Sequence, residues 1–234
     1  MRYVRWQGLY RYLQKGTRMP FHNRAEAAHL LAQRLVAYRG KQPLVLGIPR
    51  GAVPMARIIA DALEGELDVV LVHKLGAPGR PELAIGAVDE TGQVYLGEYV
   101  QRLGISADYL AAETAAQLAM LRTRRAMYTP IRPPISPAGR LVMVVDNGIA
   151  TGASMIAALR AVRAKQPARL IAAVAVAPPR TLERMAQEAD EVVCLEAPEE
   201  FYAVGQFFED FSQVTDAEVI AILQHTSPQP VPAS

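Results

Sequence analysis

One stretch of this 234-residue chain places chemistry-bearing side chains at a telling spacing: Val145-Asp146-Asn147-Gly148-Ile149-Ala150-Thr151-Gly152-Ala153-Ser154. The apolar run Leu141 to Val145 reads as a buried strand that delivers Asp146 to its carboxyl edge. Thr151 to Ser154 then opens a helix, whose first N–H groups are unpaired and carry the positive end of the dipole. Residues Ala150, Thr151, Gly152, Ala153 and Ser154 thus form a cradle for a phosphate monoester, with Gly152 allowing close approach to the backbone. Asp146, five residues earlier, is spaced to accept hydrogen bonds from sugar hydroxyls. A phosphate at one end and a carboxylate at the other measure out a ribose 5-phosphate.

The string resembles the 5-phosphoribosyl-1-pyrophosphate (PRPP) motif of the type I phosphoribosyltransferases: an apolar strand, two acids, three residues, then Thr-Gly-x-Thr/Ser. Further stretches are similar to that family in the same order. Gly47-Ile48-Pro49-Arg50-Gly51-Ala52-Val53-Pro54 resembles its pyrophosphate loop, which implies diphosphate contacts at Arg50 and Gly51. Lys74 matches a basic residue that neutralises pyrophosphate, and Gly76 to Ala84, with Arg80 and Glu82, corresponds to a mobile loop over the reacting centre. Glu196 to Asp210 is similar to the C-terminal hood of 6-oxopurine enzymes. There Phe201 or Tyr202 would stack on a base, and Glu209 or Asp210 would help hold magnesium. The resemblance runs from about Phe21 to Leu223 and is nearest to a prokaryotic group of phosphoribosyltransferases of unsettled base specificity.

What the resemblance implies is transfer of a phosphoribosyl group from PRPP to a small nitrogenous base, with Mg2+, release of pyrophosphate, and a homodimer. Asp146, Asn147 and Lys74 would be the catalytic set, and Asp146 and Glu209 the metal-facing carboxylates. Asn147 departs from the pattern, since it stands where the second acid usually lies. It brings no charge, so turnover is expected to be weakened and Asn147→Asp to raise it. The alternative is a PRPP- or nucleotide-binding regulator with reduced or no turnover. Ala150 also replaces the acid that 6-oxopurine enzymes carry before Thr-Gly, which weakens a hypoxanthine or guanine assignment.

The elements that must hold these residues follow from pattern and punctuation. Asn23 caps a helix running to about Tyr38, with Ala27, Leu30, Leu31, Leu35 and Val36 as its apolar stripe and Gly40 ending it. Strand Leu44–Ile48, helix Val53–Leu63 and strand Leu67–Val72 follow, and glycines and prolines between Lys74 and Leu83 read as a loop. Ile85–Val88 and Gln93–Leu96 read as a hairpin, and Ser106 caps a long helix ending near Met127. After the phosphate loop come a helix to about Lys165, strand Arg169–Val176, a helix from Arg180, strand Glu191–Leu195 and a helix from Asp216. Alternating strands and helices predict an α/β fold, a mostly parallel central sheet flanked by helices, with a small hood around 197–215. Residues 1–20 form a basic aromatic arm, 21–224 the main domain, and 225–234 a flexible tail.

Bulk properties exclude several classes. The chain is 51% hydrophobic and 21% charged, which suits a compact fold. No apolar run reaches the roughly 20 residues of a membrane span, and a cytoplasmic protein is expected. The net charge is +2, but six basic residues and no acid lie in residues 1–24, leaving −4 for the remainder. An acidic body argues against a nucleic-acid face. The single Cys194 sits in an apolar strand as a buried thiol, and His22, His29, His73 and His225 show no metal spacing.

Overall fold

The computed structural model describes residues 3–5, 21–97 and 99–224. Its main layer is a six-stranded parallel sheet formed by β1 (Tyr3–Arg5), β2 (Leu44–Gly47), β3 (Glu66–Val69), β7 (Leu141–Gly148), β8 (Arg169–Val176) and β9 (Glu191–Glu196), in the order β1-β9-β8-β7-β2-β3. A second, antiparallel sheet has β4 (Val72–Ala77), β5 (Arg80–Asp89) and β6 (Val94–Leu96). The helices are α1 (Arg24–Arg34), α2 (Val53–Leu63), α3 (Tyr99–Arg102), α4 (Ala107–Tyr128), α5 (Ala153–Ala164), α6 (Pro179–Met185) and α7 (Asp216–Gln224). The expected α/β class is observed.

Alternation along the parallel strands builds two cores, because successive side chains leave opposite faces. Val45, Met143, Val145, Ile171 and Ala173 meet Ala27, Leu31, Met55 and Ile59 of α1 and α2 on one face. Leu44, Leu46, Val142, Val144, Leu170 and Val174 meet Met155, Ala158, Leu159 and Val162 of α5 on the other. Leu35 completes the α1 stripe, but Leu30 and Val36 are exposed, and α1 gives way to a 3₁₀ turn at Val36–Tyr38. The Asn23 and Ser106 caps form as expected, each side chain accepting from the N–H three residues on.

Two expectations on the second sheet require correction. Leu67–Val72 is not one strand: β3 ends at Val69, and Val72 begins β4. The Gly76–Ala84 stretch is not an irregular loop but the closed end of the β4–β5 hairpin, with Ala77 paired to Arg80 across Pro78-Gly79. Gly79 takes the positive φ (67°) of that turn. Gly76 serves close packing instead, since a Cβ there would lie 2.9 Å from the Pro81 backbone. Helix α4 secures the hairpin: Gly76 N–H donates to Glu113 Oε1 at 3.3 Å, and the Tyr109 hydroxyl donates to Gly76 O at 3.0 Å.

Of the expected arm, Tyr3–Arg5 pairs in parallel with β9, and the rest of 1–20 lies outside the described residues, as does the 225–234 tail. Among the described residues no helix is long and apolar enough to cross a membrane. Cys194 is buried as expected; its thiol donates to Glu196 O at 3.0 Å, and burial pushes its pKa up to about 12.

Candidate functional site

The chain leaves β2 toward β3 on one side, whereas β7 leads to β8 and β9 on the other. The crevice at the carboxyl ends of two such diverging strands is where open parallel sheets bind ligands. Gly47 pairs with Val145, and Ile48 N–H donates to Val145 O at 3.1 Å, so the loops after β2 and β7 emerge side by side. Arg50 and Gly51 therefore share this edge with Asp146 and Asn147.

The second loop is braced from α6. Thr181 Oγ1 donates to Ala150 O at 2.7 Å, and Arg184 Nη1 donates to Thr151 O at 3.1 Å. With those carbonyls turned outward, Gly152 adopts φ 78° as the N-cap of α5, and no side chain caps that helix. Its first N–H groups stay available to an anion, beside Ala153 and half-buried Ser154. A Cβ on Gly152 would meet Thr181 Cγ2 at 2.9 Å, so close packing and backbone conformation both require glycine.

Asp146 closes the other end. Its Oδ1 accepts from Asn147 N–H at 2.7 Å, and desolvation raises its carboxyl pKa to about 7, opposed by that bond and by the Arg24 charge. Asn147 is 9% exposed, and its Oδ1 accepts from Arg24 Nε at 3.1 Å. Arg24 is anchored in turn: Nη1 donates to Ser212 O at 2.7 Å, and the guanidinium lies 3.9 Å from the centre of the Phe211 ring. Gly51 packs directly on this pair, because a Cβ there would be 2.5 Å from Asn147 Nδ2 and 3.6 Å from Arg24 Nε.

The other expected site residues sit on separate elements. Arg50, in the loop after β2, faces Asp216 at the start of α7 (Nη1 to Oδ2 3.4 Å), which also accepts from the Tyr128 hydroxyl at 2.6 Å and forms an ion pair with Arg124, Nε to Oδ1 3.3 Å. Lys74 lies on β4 opposite Ala87, and exposed Arg80 begins β5, so both belong to the second sheet rather than the β2–β7 edge. His73 Nδ1 bonds Lys74 O at 2.9 Å.

The hood segment separates the aromatic candidates. Tyr202 is 87% exposed, while Phe201 packs on Phe207 with ring centres 5.1 Å apart. Tyr202 is therefore the more open of the two rings to a flat ligand. Glu209 bonds His22 Nδ1 at 2.7 Å, and this contact raises the His22 pKa. Backbone bonds fasten the same segment to the start of α1: Phe21 N–H to Phe207 O, Glu209 N–H to Phe21 O, and Asp210 N–H to His22 O.

Among the described residues no three His, Cys, Asp or Glu side chains gather as a metal cluster. One carboxylate, Asp146, beside the uncapped start of α5 would fit Mg2+, which commonly takes few protein ligands and keeps several waters. Sequence reasoning missed Arg24, Thr181, Arg184 and Asp216. None carries a local signal; each reaches the site from an element distant in sequence.

Comparison with known proteins agrees with this geometry. The family model described as "phosphoribosyl transferase domain" matches residues 21–211. The Mycobacterium tuberculosis H37Rv protein Rv0571c, provisionally named a phosphoribosyl transferase, is 43% identical over 204 residues. The match covers 87% of this chain and 46% of that protein, so the chain spans about half of its relative's length. The crystal structure of TT1426 from Thermus thermophilus is 48% identical and superposes with a TM-score of 0.76, covering 88% of this chain and 98% of that one.

Proposed function

The chain belongs to the phosphoribosyl transferase family, and from that premise we propose that it uses PRPP and Mg2+ to transfer a phosphoribosyl group to a small nitrogenous base. The observation that carries the reading is the β7–α5 edge: a half-buried carboxylate at Asp146, then an uncapped helix start braced through Thr181 and Arg184. In this reading Ala150 to Ser154 hold the 5′-phosphate and Asp146 accepts from ribose hydroxyls. Arg50, Gly51, Lys74 and Arg80 receive the diphosphate, and Tyr202 stacks on the base.

The bond from the anomeric carbon to the diphosphate oxygen breaks as a bond to the base nitrogen forms. By analogy with glycoside chemistry the transition state has oxocarbenium character. Negative charge at Asp146 stabilises the sugar cation, and the cationic side chains stabilise the departing diphosphate. Asp146 would help hold Mg2+, which would supply positive charge to offset that of the leaving diphosphate. Glu209, whose Oε2 bonds His22 Nδ1, is the second carboxylate that would face the metal.

A second reading is a PRPP- or nucleotide-binding regulator of reduced turnover, favoured by the neutral Asn147. Incubation with PRPP, Mg2+ and a panel of nucleobases, following pyrophosphate release, separates the two. Release dependent on one base supports the transferase. Binding of PRPP without release supports the regulator, and failure to bind PRPP refutes both.

A further inference from the structure

An asparagine amide has one acceptor and two donors, and which of them faces a ligand depends on what holds the other side. Here that partner is Arg24, whose guanidinium can only donate. Its Nε meets Asn147 Oδ1 at 3.1 Å. Two further contacts fix the guanidinium itself, the hydrogen bond to Ser212 O and the Phe211 ring beneath it. Turning the amide over would set donor against donor. The Nδ2 end is thereby committed to the other direction, against Gly51, where a Cβ would come within 2.5 Å of it.

The polarity of position 147 is therefore inverted relative to an acid. A carboxylate there would present acceptors to the ligand, whereas Asn147 presents N–H donors beside the loop after β2. Ribose hydroxyls tolerate either arrangement, but a diphosphate oxygen can only accept. We propose that Asn147 Nδ2 donates to a phosphoryl oxygen of the diphosphate, and that Arg24 is the positioning residue that holds the amide in that orientation. The inference rests on the phosphoribosyl reading of the site and names two residues' parts within it. It reverses the expectation that an acid at 147 improves the site: an aspartate would pair with Arg24 and turn a like charge toward the diphosphate.

The test is calorimetric titration of the full chain with inorganic pyrophosphate and, separately, ribose 5-phosphate, both at one fixed Mg2+ concentration. Asn147→Asp weakens pyrophosphate binding by about tenfold or more, the scale of one hydrogen bond to a charged acceptor. Ribose 5-phosphate binding stays within about twofold. Asn147→Ala, which removes the donor without adding charge, gives the same one-sided loss and serves if the aspartate variant does not fold. Arg24→Gln, able to accept as well as donate, loses pyrophosphate affinity likewise, and the donor-only Arg24→Lys recovers most of it. A role confined to packing would not distinguish lysine from glutamine in this way. Unchanged or tighter pyrophosphate binding in Asn147→Asp, or loss at ribose 5-phosphate alone, overturns the inference. Wild-type protein that binds neither ligand overturns the phosphoribosyl reading on which it stands.

Discussion

Replacing Asp146 by asparagine should make the ligand-free protein more stable, and the gain should depend on pH in a specified way. Desolvation raises the Asp146 pKa from 3.8 to about 7 in the folded chain. Between those values the native state holds a proton that the unfolded state has released, so the native state binds more protons and stability falls as pH rises. The fall begins near pH 4 and is complete just above pH 7. At about 1.36 kcal/mol per pH unit the ceiling is about 4 kcal/mol. Because Asp146 is only half-buried, water and relaxation reduce this to about 2 kcal/mol. Asparagine keeps an oxygen for the Asn147 N–H bond and never ionises. For a chain of this size the difference corresponds to a Tm gain of about 4–8 °C at pH 8 that vanishes near pH 4. Thermal melts of both proteins in EDTA across pH 4–8 measure it directly. A gain independent of pH, or a loss at pH 8, would refute the account of Asp146 as a carboxylate kept at a cost to stability for ligand binding. The same variant should lose PRPP affinity.

Gly152→Ala should destabilise the chain by about 1–3 kcal/mol, since it combines a φ of 78° with a 2.9 Å approach to Thr181 Cγ2. In urea melts, adding Thr181→Ser should recover only the steric share; full recovery would exclude a backbone contribution. Tyr202→Ala should leave the melting temperature unchanged while weakening base affinity, as its ring is 87% exposed. Phe201→Ala should instead lower the melting temperature through its lost packing on Phe207; the reverse pattern in paired melts and base titrations would exchange their roles. Thr181→Val should weaken ribose 5-phosphate binding severalfold, because it removes the brace on Ala150 O; unchanged calorimetric affinity would count against that brace.

Local rules identified the elements on either side of the loop between β7 and α5. Buried strands such as β7 and β8 are short apolar runs, and Asn23 and Ser106 announce helices by capping chemistry that acts over three residues. The β4–β5 hairpin escaped because Gly76, Pro78, Gly79 and Pro81 look alike as breakers. In the fold only Pro78-Gly79 turns the chain, while Gly76 is a site of close packing. The strand end at Asp146 and the helix start at Ala153 were legible because they are contiguous. Arg24 was not: it lies 123 residues from Asn147, and an arginine in a first helical turn ordinarily signals nothing. The polarity of the Asn147 amide is set by that distant partner, so the asparagine alone was read as a missing charge.

The seam between the start of α1 and the aromatic segment has a consequence for redesign. Backbone bonds join residues 21–22 to 207–210, and Arg24 ties Ser212 and Phe211 to Asn147. In the proposed reading, the base-facing cap and the sugar pocket are thus not interchangeable cassettes. A chimera that imports another enzyme's cap to change base preference must import the partner of Arg24 as well. Otherwise it inherits a new cap together with a misaligned ribose pocket.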